Sequence, residues 1–224
     1  MKILLASASP ADVRWAADHG LADGVVTTPA TLAAERAGDA SAQRELLGEL
    51  ARLVSAPVYA SVASVDPGDI YRDGRELARL GDNVVVQVPL VDDAVVAVRR
   101  LTGEGVRVAA TLVFSAAQAL LAAKAGATSA VIPLDQLAAL GRDATPAVAE
   151  VRALLDRGEV ECDVVAAFPP SSAAFAAAGI AGADAAVVDV RTLRALLVHP
   201  LTDRGVDAFL REIAARGRPR IASV

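Results

Sequence analysis

Several polar residues that could do chemistry stand at the ends of short apolar runs in this sequence. In VVVQVPL, residues 84–90, a primary amide, Gln87, follows three valines. Carboxylates have similar places in VIPLDQL and VVDVRTL, where Asp135 and Asp189 are candidates for proton transfer. Together these groups could hold a ligand by hydrogen bonds and move a proton. The predicted catalytic residues are therefore Gln87, Asp135 and Asp189.

Hydroxyl and aromatic side chains at the ends of other runs form the predicted substrate-binding set. If Gln87 faces the protein interior, its amide must be hydrogen-bonded, because an unsatisfied buried amide costs about 1–3 kcal/mol. Two hydroxyls of the set, on Ser61 and Thr111, are the expected partners. The aromatic rings could line an apolar pocket or fill it. The members of the set are Thr28, Ser61, Thr111, Phe114 and Phe168.

Each predicted catalytic residue also has a structural interpretation. Gln87 could tie neighbouring strand ends together through hydrogen bonds instead of binding a substrate. Asp135 and Asp189 could each cap the N-terminus of a following short helix instead of acting as a base. The sequence leaves these alternatives open.

The elements that must position these residues alternate in type. Eight apolar runs of strand length are followed by segments with apolar residues three and four apart, which is the helical spacing. Most runs lack polar alternation, which is typical of parallel strands buried on both faces. The runs are KILLAS, DGVVTT, PVYASVA, NVVVQVP, VRVAATLV, SAVIPL, CDVVAAF and DAAVVDV.

This alternation predicts an α/β fold, a single (β/α)8 TIM barrel that spans residues 1–224. A doubly wound open sheet is the runner-up, but no glycine-rich phosphate loop follows the first strand. The stretches 38–45 and 139–146 are predicted surface connections, and a last helix is predicted at about 203–217. In such a barrel the functional site lies at the carboxyl ends of the strands.

Composition and charge argue against several classes of function. The net charge is −5, no basic run is present and aromatic residues make up 3%, so no nucleic-acid partner is expected. The single cysteine, Cys162, excludes an internal disulfide, and no Cys or His spacing suggests a metal site. The first apolar run, of about five residues, is too short for a secretion signal. We expect a cytoplasmic protein that binds a small molecule and needs no cofactor, metal or membrane.

The whole chain resembles the small transaldolases and fructose-6-phosphate aldolases. GVVTTPATL is similar to the family segment G-V-T-T-N-P-S, and VVVQVPL is similar to V-V-K-V-P. EGVRVAATLVFSAAQALLAAKAGA looks like the fifth strand of the family and the helix after it. The resemblance implies the same barrel, and it implies a ring of subunits in which the last helix packs on a neighbour. A homo-oligomer is therefore expected.

The resemblance also implies that the catalytic residues of the family are changed in this chain. The lysine that forms a Schiff base with the substrate carbonyl falls on Gln87, and the aspartate that relays protons falls on Ala6. The asparagine of T-T-N-P falls on Thr28, and the arginine that holds a substrate phosphate falls on Gln136. Thr111 is retained.

Three functions follow from these observations. The first, which we predict, is action without a covalent intermediate on a small uncharged carbonyl metabolite, by proton transfer, elimination or cyclisation. The second is a catalytically inactive homologue that serves as a binding or assembly subunit. The third is residual aldolase or transaldolase activity through another amine, although Lys2 and Lys124 are both expected toward the closed end of the barrel.

Overall fold

Eight parallel strands close into a barrel in the order of the sequence. The structure is a computed structural model that describes residues 1–35 and 39–215. Each strand pairs with the next, and the eighth pairs with the first, so the predicted TIM barrel is confirmed and the open sheet is wrong. The strands are β1 (Lys2–Ala6), β2 (Gly24–Val26), β3 (Val58–Ser61), β4 (Val84–Pro89), β5 (Val108–Thr111), β6 (Ser129–Pro133), β7 (Asp163–Ala167) and β8 (Ala185–Asp189).

Eleven helices surround these strands within the described residues. Three of them have six residues each, and a helix of that length shows too few turns for its period to be read from the sequence. The helices are α1 (Pro10–Asp18), α2 (Pro29–Ala34), α3 (Ala40–Leu53), α4 (Pro67–Ala78), α5 (Ala94–Gly103), α6 (Ala116–Lys124), α7 (Leu134–Ala139), α8 (Thr145–Arg157), α9 (Ser172–Ile180), α10 (Val190–Ala195) and α11 (Pro200–Ala215).

The connection predicted at 38–45 is wrong from residue 40 onward, because α3 begins there. Asp39 caps this helix, with its side chain accepting a hydrogen bond of 2.8 Å from the backbone N–H of Ala42. The start of the helix was not predicted, because the polar residues in its first turn interrupt the apolar spacing. The last predicted helix begins at Pro200 rather than at about 203. Its predicted end at 216–217, and residue 38 of the connection, lie outside the described residues.

Alternate residues along each strand bury opposite faces of the sheet. The outward residues, such as Leu5 and Val86, pack with the helices in one large cluster. The inward residues form a second cluster inside the barrel. Both faces are buried, which explains the lack of polar alternation in the runs. The buried inward cluster consists of Leu4, Ala6, Val26, Val85, Ala109, Val131, Val165, Ala167, Ala185 and Val187.

Charged residues fix the amino ends of the strands. Asp184 Oδ2 accepts hydrogen bonds from the Val164 backbone N–H at 2.7 Å and from Arg152 Nη1 at 3.1 Å. Lys2 Nζ lies 3.5 Å from Asp163 Oδ2, so this end of the barrel is held by ion pairs and side-chain caps. The carboxyl ends of the strands, at the opposite end of the barrel, are where a functional site is expected. None of the described helices combines the length and the apolar composition needed to cross a bilayer.

Candidate functional site

A cavity of about 430 Å³ opens at the carboxyl ends of the strands. Small-molecule sites usually have volumes of about 300–1,000 Å³, so this cavity is large enough for a metabolite. Side chains from all eight strands or from the segments that follow them surround it. Six of the eight predicted site residues line it: Thr28, Ser61, Gln87, Thr111, Asp135 and Phe168.

Gln87 lies on the inward face of β4 and is 5% exposed. Its Nε2 donates hydrogen bonds to the backbone carbonyl of Thr27 at 2.9 Å and to Ser61 Oγ at 3.1 Å. A backbone carbonyl can only accept, so the bond to Thr27 fixes which end of the amide is the nitrogen. The expected partner Ser61 is present, whereas the expected bond to Thr111 is not formed.

The oxygen of the Gln87 amide faces the cavity as a free acceptor. Both N–H groups are already used by Thr27 and Ser61, and Oε1 has no hydrogen bond to another described residue. The only fully buried side-chain N or O atom without a partner among the described residues is Arg152 Nε, so Gln87 Oε1 keeps contact with the open space. The structural interpretation of Gln87 therefore applies to the nitrogen of its amide, and the ligand-binding interpretation applies to the oxygen. Its nitrogen ties β4 to β2 and β3, and its oxygen is available to a ligand.

Two hydroxyl groups at the cavity can donate to a ligand. Ser61 Oγ accepts from Gln87, and its own proton has no acceptor among the described residues. The Thr111 hydroxyl lines the cavity and has no hydrogen bond to a described residue. The Thr28 hydroxyl is engaged, because Thr28 Oγ1 accepts from the Thr31 N–H at 3.1 Å in a capping box at the start of α2.

The two predicted carboxylates have different places. Asp189 is the N-cap of α10, its Oδ1 accepts from the Thr192 N–H at 2.6 Å, and it does not line the cavity. Asp135 does not cap α7, whose N-cap is Pro133, so the capping interpretation is wrong for this residue. Its exposed side chain stands in the first helical turn at the rim of the cavity. Among the described residues that line the cavity, Asp135 is the one carboxylate.

Of the two aromatic residues in the predicted substrate-binding set, one lines the cavity and the other does not. Phe168 lines the cavity directly after β7, whereas Phe114 does not line it and Leu112, which was not predicted, does. Both Leu112 and Phe168 have left-handed backbone conformations, with φ of 59° and 54°. The left-handed turn brings Leu112 inward directly after the inward Thr111. Sequence alternation could not reveal this position of Leu112, because it places the residue on the outward face.

No amine lines this cavity among the described residues, which include both lysines of the chain. Lys2 is paired with Asp163 at the amino end of the strands, and Lys124 is the exposed last residue of α6. Tyr59 also lines the cavity, and burial, and then the Asp163 carboxylate at the amino end of β7, raise the pKa of its phenol. The described residues contain no cluster of His, Cys, Asp or Glu that could hold a metal ion.

Comparison with protein families identifies the origin of this barrel. The family model described as "Transaldolase/Fructose-6-phosphate aldolase" matches residues 16–218. The chain belongs to the transaldolase/fructose-6-phosphate aldolase family. A relative from Phenylobacterium zucineum named "Probable transaldolase" is 36% identical over 218 residues, which cover 97% of this chain and 99% of the relative. This membership agrees with the resemblance of VVVQVPL and its neighbouring segments to the family.

Other members of the family from distant organisms match at similar levels. A "Probable transaldolase" of Parvibaculum lavamentivorans is 37% identical over 97% of this chain and 99% of its own length. One from Thermoplasma volcanium is 33% identical over 95% of both chains. A solved structure of FabK from Thermotoga maritima is similar with a TM-score of 0.58 and 19% identity. That match covers 86% of this chain but 58% of the FabK chain, and it shows the fold alone.

Proposed function

We propose that this member of the transaldolase/fructose-6-phosphate aldolase family binds a small uncharged carbonyl compound in the barrel without forming a Schiff base. The observation that carries the proposal is the absence of an amine from the described lining of the cavity. An imine forms when a nucleophilic amine attacks a carbonyl carbon. The amide nitrogen of Gln87 cannot do so, because its lone pair is conjugated with the carbonyl and both its N–H groups are hydrogen-bonded.

The proposed ligand carries no phosphate. Phosphate groups are usually held by arginine, lysine or backbone N–H groups at helix termini. No arginine or lysine is present among the described residues that line the cavity, and the position that the resemblance assigns to the phosphate-binding arginine is Gln136. The exposed Asp135 next to it would repel an anion.

The proposed chemistry is non-covalent proton transfer, of the kind that elimination or cyclisation of a carbonyl compound requires. Ser61 and Thr111 offer hydroxyl protons to a ligand oxygen, and Asp135 offers a carboxylate at the rim. A positioned general base contributes about 10²–10⁴-fold to a rate, so we expect Asp135→Asn to reduce turnover by at least about tenfold. Asp189 is not part of this proposal, since its carboxylate caps α10.

A second candidate is a binding or assembly subunit without catalytic activity. The observation that favours it is α11, in which none of the described side chains is buried. Val206, Phe209, Leu210 and Ile213 form an apolar stripe along this exposed helix. We propose that the stripe packs on another copy of the chain, as the resemblance implies. Measurable turnover by the isolated protein would count against the inactive subunit and in favour of the enzyme.

Borohydride trapping tests whether the barrel forms a Schiff base. The protein is incubated with hydroxyacetone, reduced with sodium borohydride and measured by intact mass spectrometry. Reduction fixes an imine as a stable secondary amine, so a lysine-dependent transaldolase, used as the positive control, gains the mass of the reduced adduct. We expect the mass of this protein to remain unchanged. An adduct that maps to Lys2 or Lys124, and that the matching Lys→Arg variant abolishes, would overturn the proposal.

A further inference from the structure

The cavity has a polar half and an apolar half. Strands β2 to β5 and the residues that follow them provide its hydroxyls and its amide, including Ser61, Gln87 and Thr111. On the opposite side, the lining residues within β6 to β8 and β1 are all apolar, and the polar residues there are Asp135 and Gln136, which follow β6 at the rim. The apolar residues are Val131, Pro133, Val165, Ala167, Val187 and Leu4. A ligand that fits both halves must therefore have one polar side and one apolar side.

The polar half presents an acceptor next to a donor. Gln87 Oε1 is the free acceptor, and it shares a carbon atom with the Nε2 that lies 3.1 Å from Ser61 Oγ. The Ser61 hydroxyl, which accepts from that nitrogen, keeps its proton for a ligand. A matching head group has a donor and an acceptor on neighbouring atoms. A carboxylate or phosphate is a poor match, because it places negative charge against the amide oxygen.

The apolar half is extended at the open end of the cavity by Leu112 and Phe168. These side chains follow β5 and β7, on the two sides of β6. A left-handed conformation of a residue other than glycine costs about 1–3 kcal/mol, and Leu112 and Phe168 both adopt it at the cavity. The side chain of Leu112 is 42% exposed, so a large part of its apolar surface remains available to a ligand.

We infer that the ligand is a neutral, two-sided molecule, with a head that carries a hydrogen-bond donor beside an acceptor and an apolar body. The head pairs with Gln87 Oε1 and the Ser61 hydroxyl, and the body lies against Leu112, Phe168 and the wall of β6 to β8. This inference rests on the non-covalent function proposed above and narrows it to a substrate class. Cyclic amides, whose N–H and C=O groups stand side by side, are the simplest probes of this class.

Four related compounds test the inference by calorimetric or ligand-observed NMR titration of the full chain. 4-Phenyl-2-pyrrolidinone has both the head and the apolar body. Its N-methyl derivative lacks the donor, 2-pyrrolidinone lacks the body, and 4-amino-3-phenylbutanoic acid is the charged, ring-opened form. We expect the phenyl lactam to bind about tenfold or more tightly than the N-methyl compound, because the latter leaves the Gln87 oxygen unpaired. Loss of the phenyl ring should weaken binding by at least about tenfold, and the charged form should not bind.

Three variants assign the two effects to the two halves of the cavity. Ser61→Ala should weaken binding of the phenyl lactam by about five- to tenfold. The affinity that the phenyl ring adds over 2-pyrrolidinone should be unchanged in this variant. Leu112→Ala should reduce the affinity that the phenyl ring adds. The variant should still bind the N-methyl compound more weakly than the phenyl lactam. Ile180→Ala, a matched truncation of a side chain that is 89% exposed and does not line the cavity, should change neither ratio. Circular dichroism of each variant verifies that it is folded.

The results separate the inference from the function on which it rests. Equal binding of the lactam and its N-methyl derivative, tighter binding of the charged form, or no binding of any probe would overturn the substrate class. A borohydride adduct of the wild-type protein would overturn the proposed function, whichever probe binds. Unadducted protein that fails to bind the lactam would leave the non-covalent function standing with a different ligand.

Discussion

Gln87 uses the two ends of its amide for different purposes. The nitrogen joins β4 to the Thr27 carbonyl and to Ser61, which holds three strand ends together. The oxygen stays unpaired at the cavity. An amide at this position therefore offers a ligand a hydrogen-bond acceptor but no nucleophilic amine. The hydrogen bond to Ser61 was predicted from the sequence. Which end of the amide faces Ser61, and which faces the cavity, could not be predicted from it.

An amine placed at this position should not restore aldol cleavage by itself. We expect Gln87→Lys to cleave fructose 6-phosphate no faster than background, because Ala6 supplies no carboxylate and no arginine lines the described cavity for the phosphate. A coupled assay for glyceraldehyde 3-phosphate measures the rate. The double variant Gln87→Lys with Ala6→Asp serves as the comparison. Cleavage by the single variant at the rate of a lysine-dependent family member would contradict the expectation.

Cys162 is expected to be an inert thiol. It is 6% exposed, and burial, followed by the charge of the adjacent Asp163, raises its pKa to about 11. The folded state therefore favours the protonated thiol, and at pH 8 only roughly a thousandth of it is thiolate, the reactive form. We expect slow reaction with DTNB at pH 8, with the rate increasing as the pH approaches 11. The urea-unfolded chain should react at the ordinary rate of N-acetylcysteine, and rapid labelling of the native protein would show that the thiol is not buried.

Strands were easier to predict from the sequence than the turns that follow them. All eight strands of the barrel fall within the eight apolar runs, because burial on both faces leaves a continuous apolar signal. The strand-end rule then placed six site residues at the cavity. It failed for Phe114, which does not line the cavity, and it missed Leu112, which lines the cavity with a left-handed backbone conformation. It failed for Asp189, because this carboxylate caps α10, which is the alternative that the sequence had left open.

Asn83 joins α3 to β4 and is expected to stabilise the barrel. Its Nδ2 lies within hydrogen-bond distance of the backbone carbonyls of Ala51, Val54 and Ala56, at 3.1, 2.7 and 2.9 Å. Carbonyls at the end of a helix need such partners. We expect Asn83→Ala to lower the free energy of unfolding by about 1–3 kcal/mol in a urea titration.

The matched control for this variant is its exposed neighbour Asp82. The Asp82 side chain makes no hydrogen bond or ion pair with a described residue, so Asp82→Ala should change the stability by no more than about 0.5 kcal/mol. Equal effects of the two substitutions would mean that the Asn83 hydrogen bonds do not hold α3 in place.

Assembly of the protein should depend on α11. Phe209 and Ile213, in the apolar stripe of this helix, are 61% and 51% exposed in the single chain. A contiguous apolar stripe of this kind usually marks an interface. We expect the wild-type protein to be an oligomer by sedimentation or light scattering, and Phe209→Glu to reduce its mass. Arg204→Glu, on the opposite face of the helix, should leave the mass unchanged. A monomeric wild type, or equal masses for all three proteins, would refute this interface.

Exchange of the ketone oxygen with water tests the central claim most directly. Schiff-base formation releases the carbonyl oxygen as water, and hydrolysis of the imine returns an oxygen atom from the solvent. The protein is incubated with [2-¹⁸O]hydroxyacetone in ordinary water, and the remaining label is followed by mass spectrometry beside buffer alone and a lysine-dependent transaldolase. We expect label loss at the rate of buffer alone. Faster loss that disappears when Lys2 or Lys124 is replaced by arginine would show that an amine of this chain reaches the carbonyl.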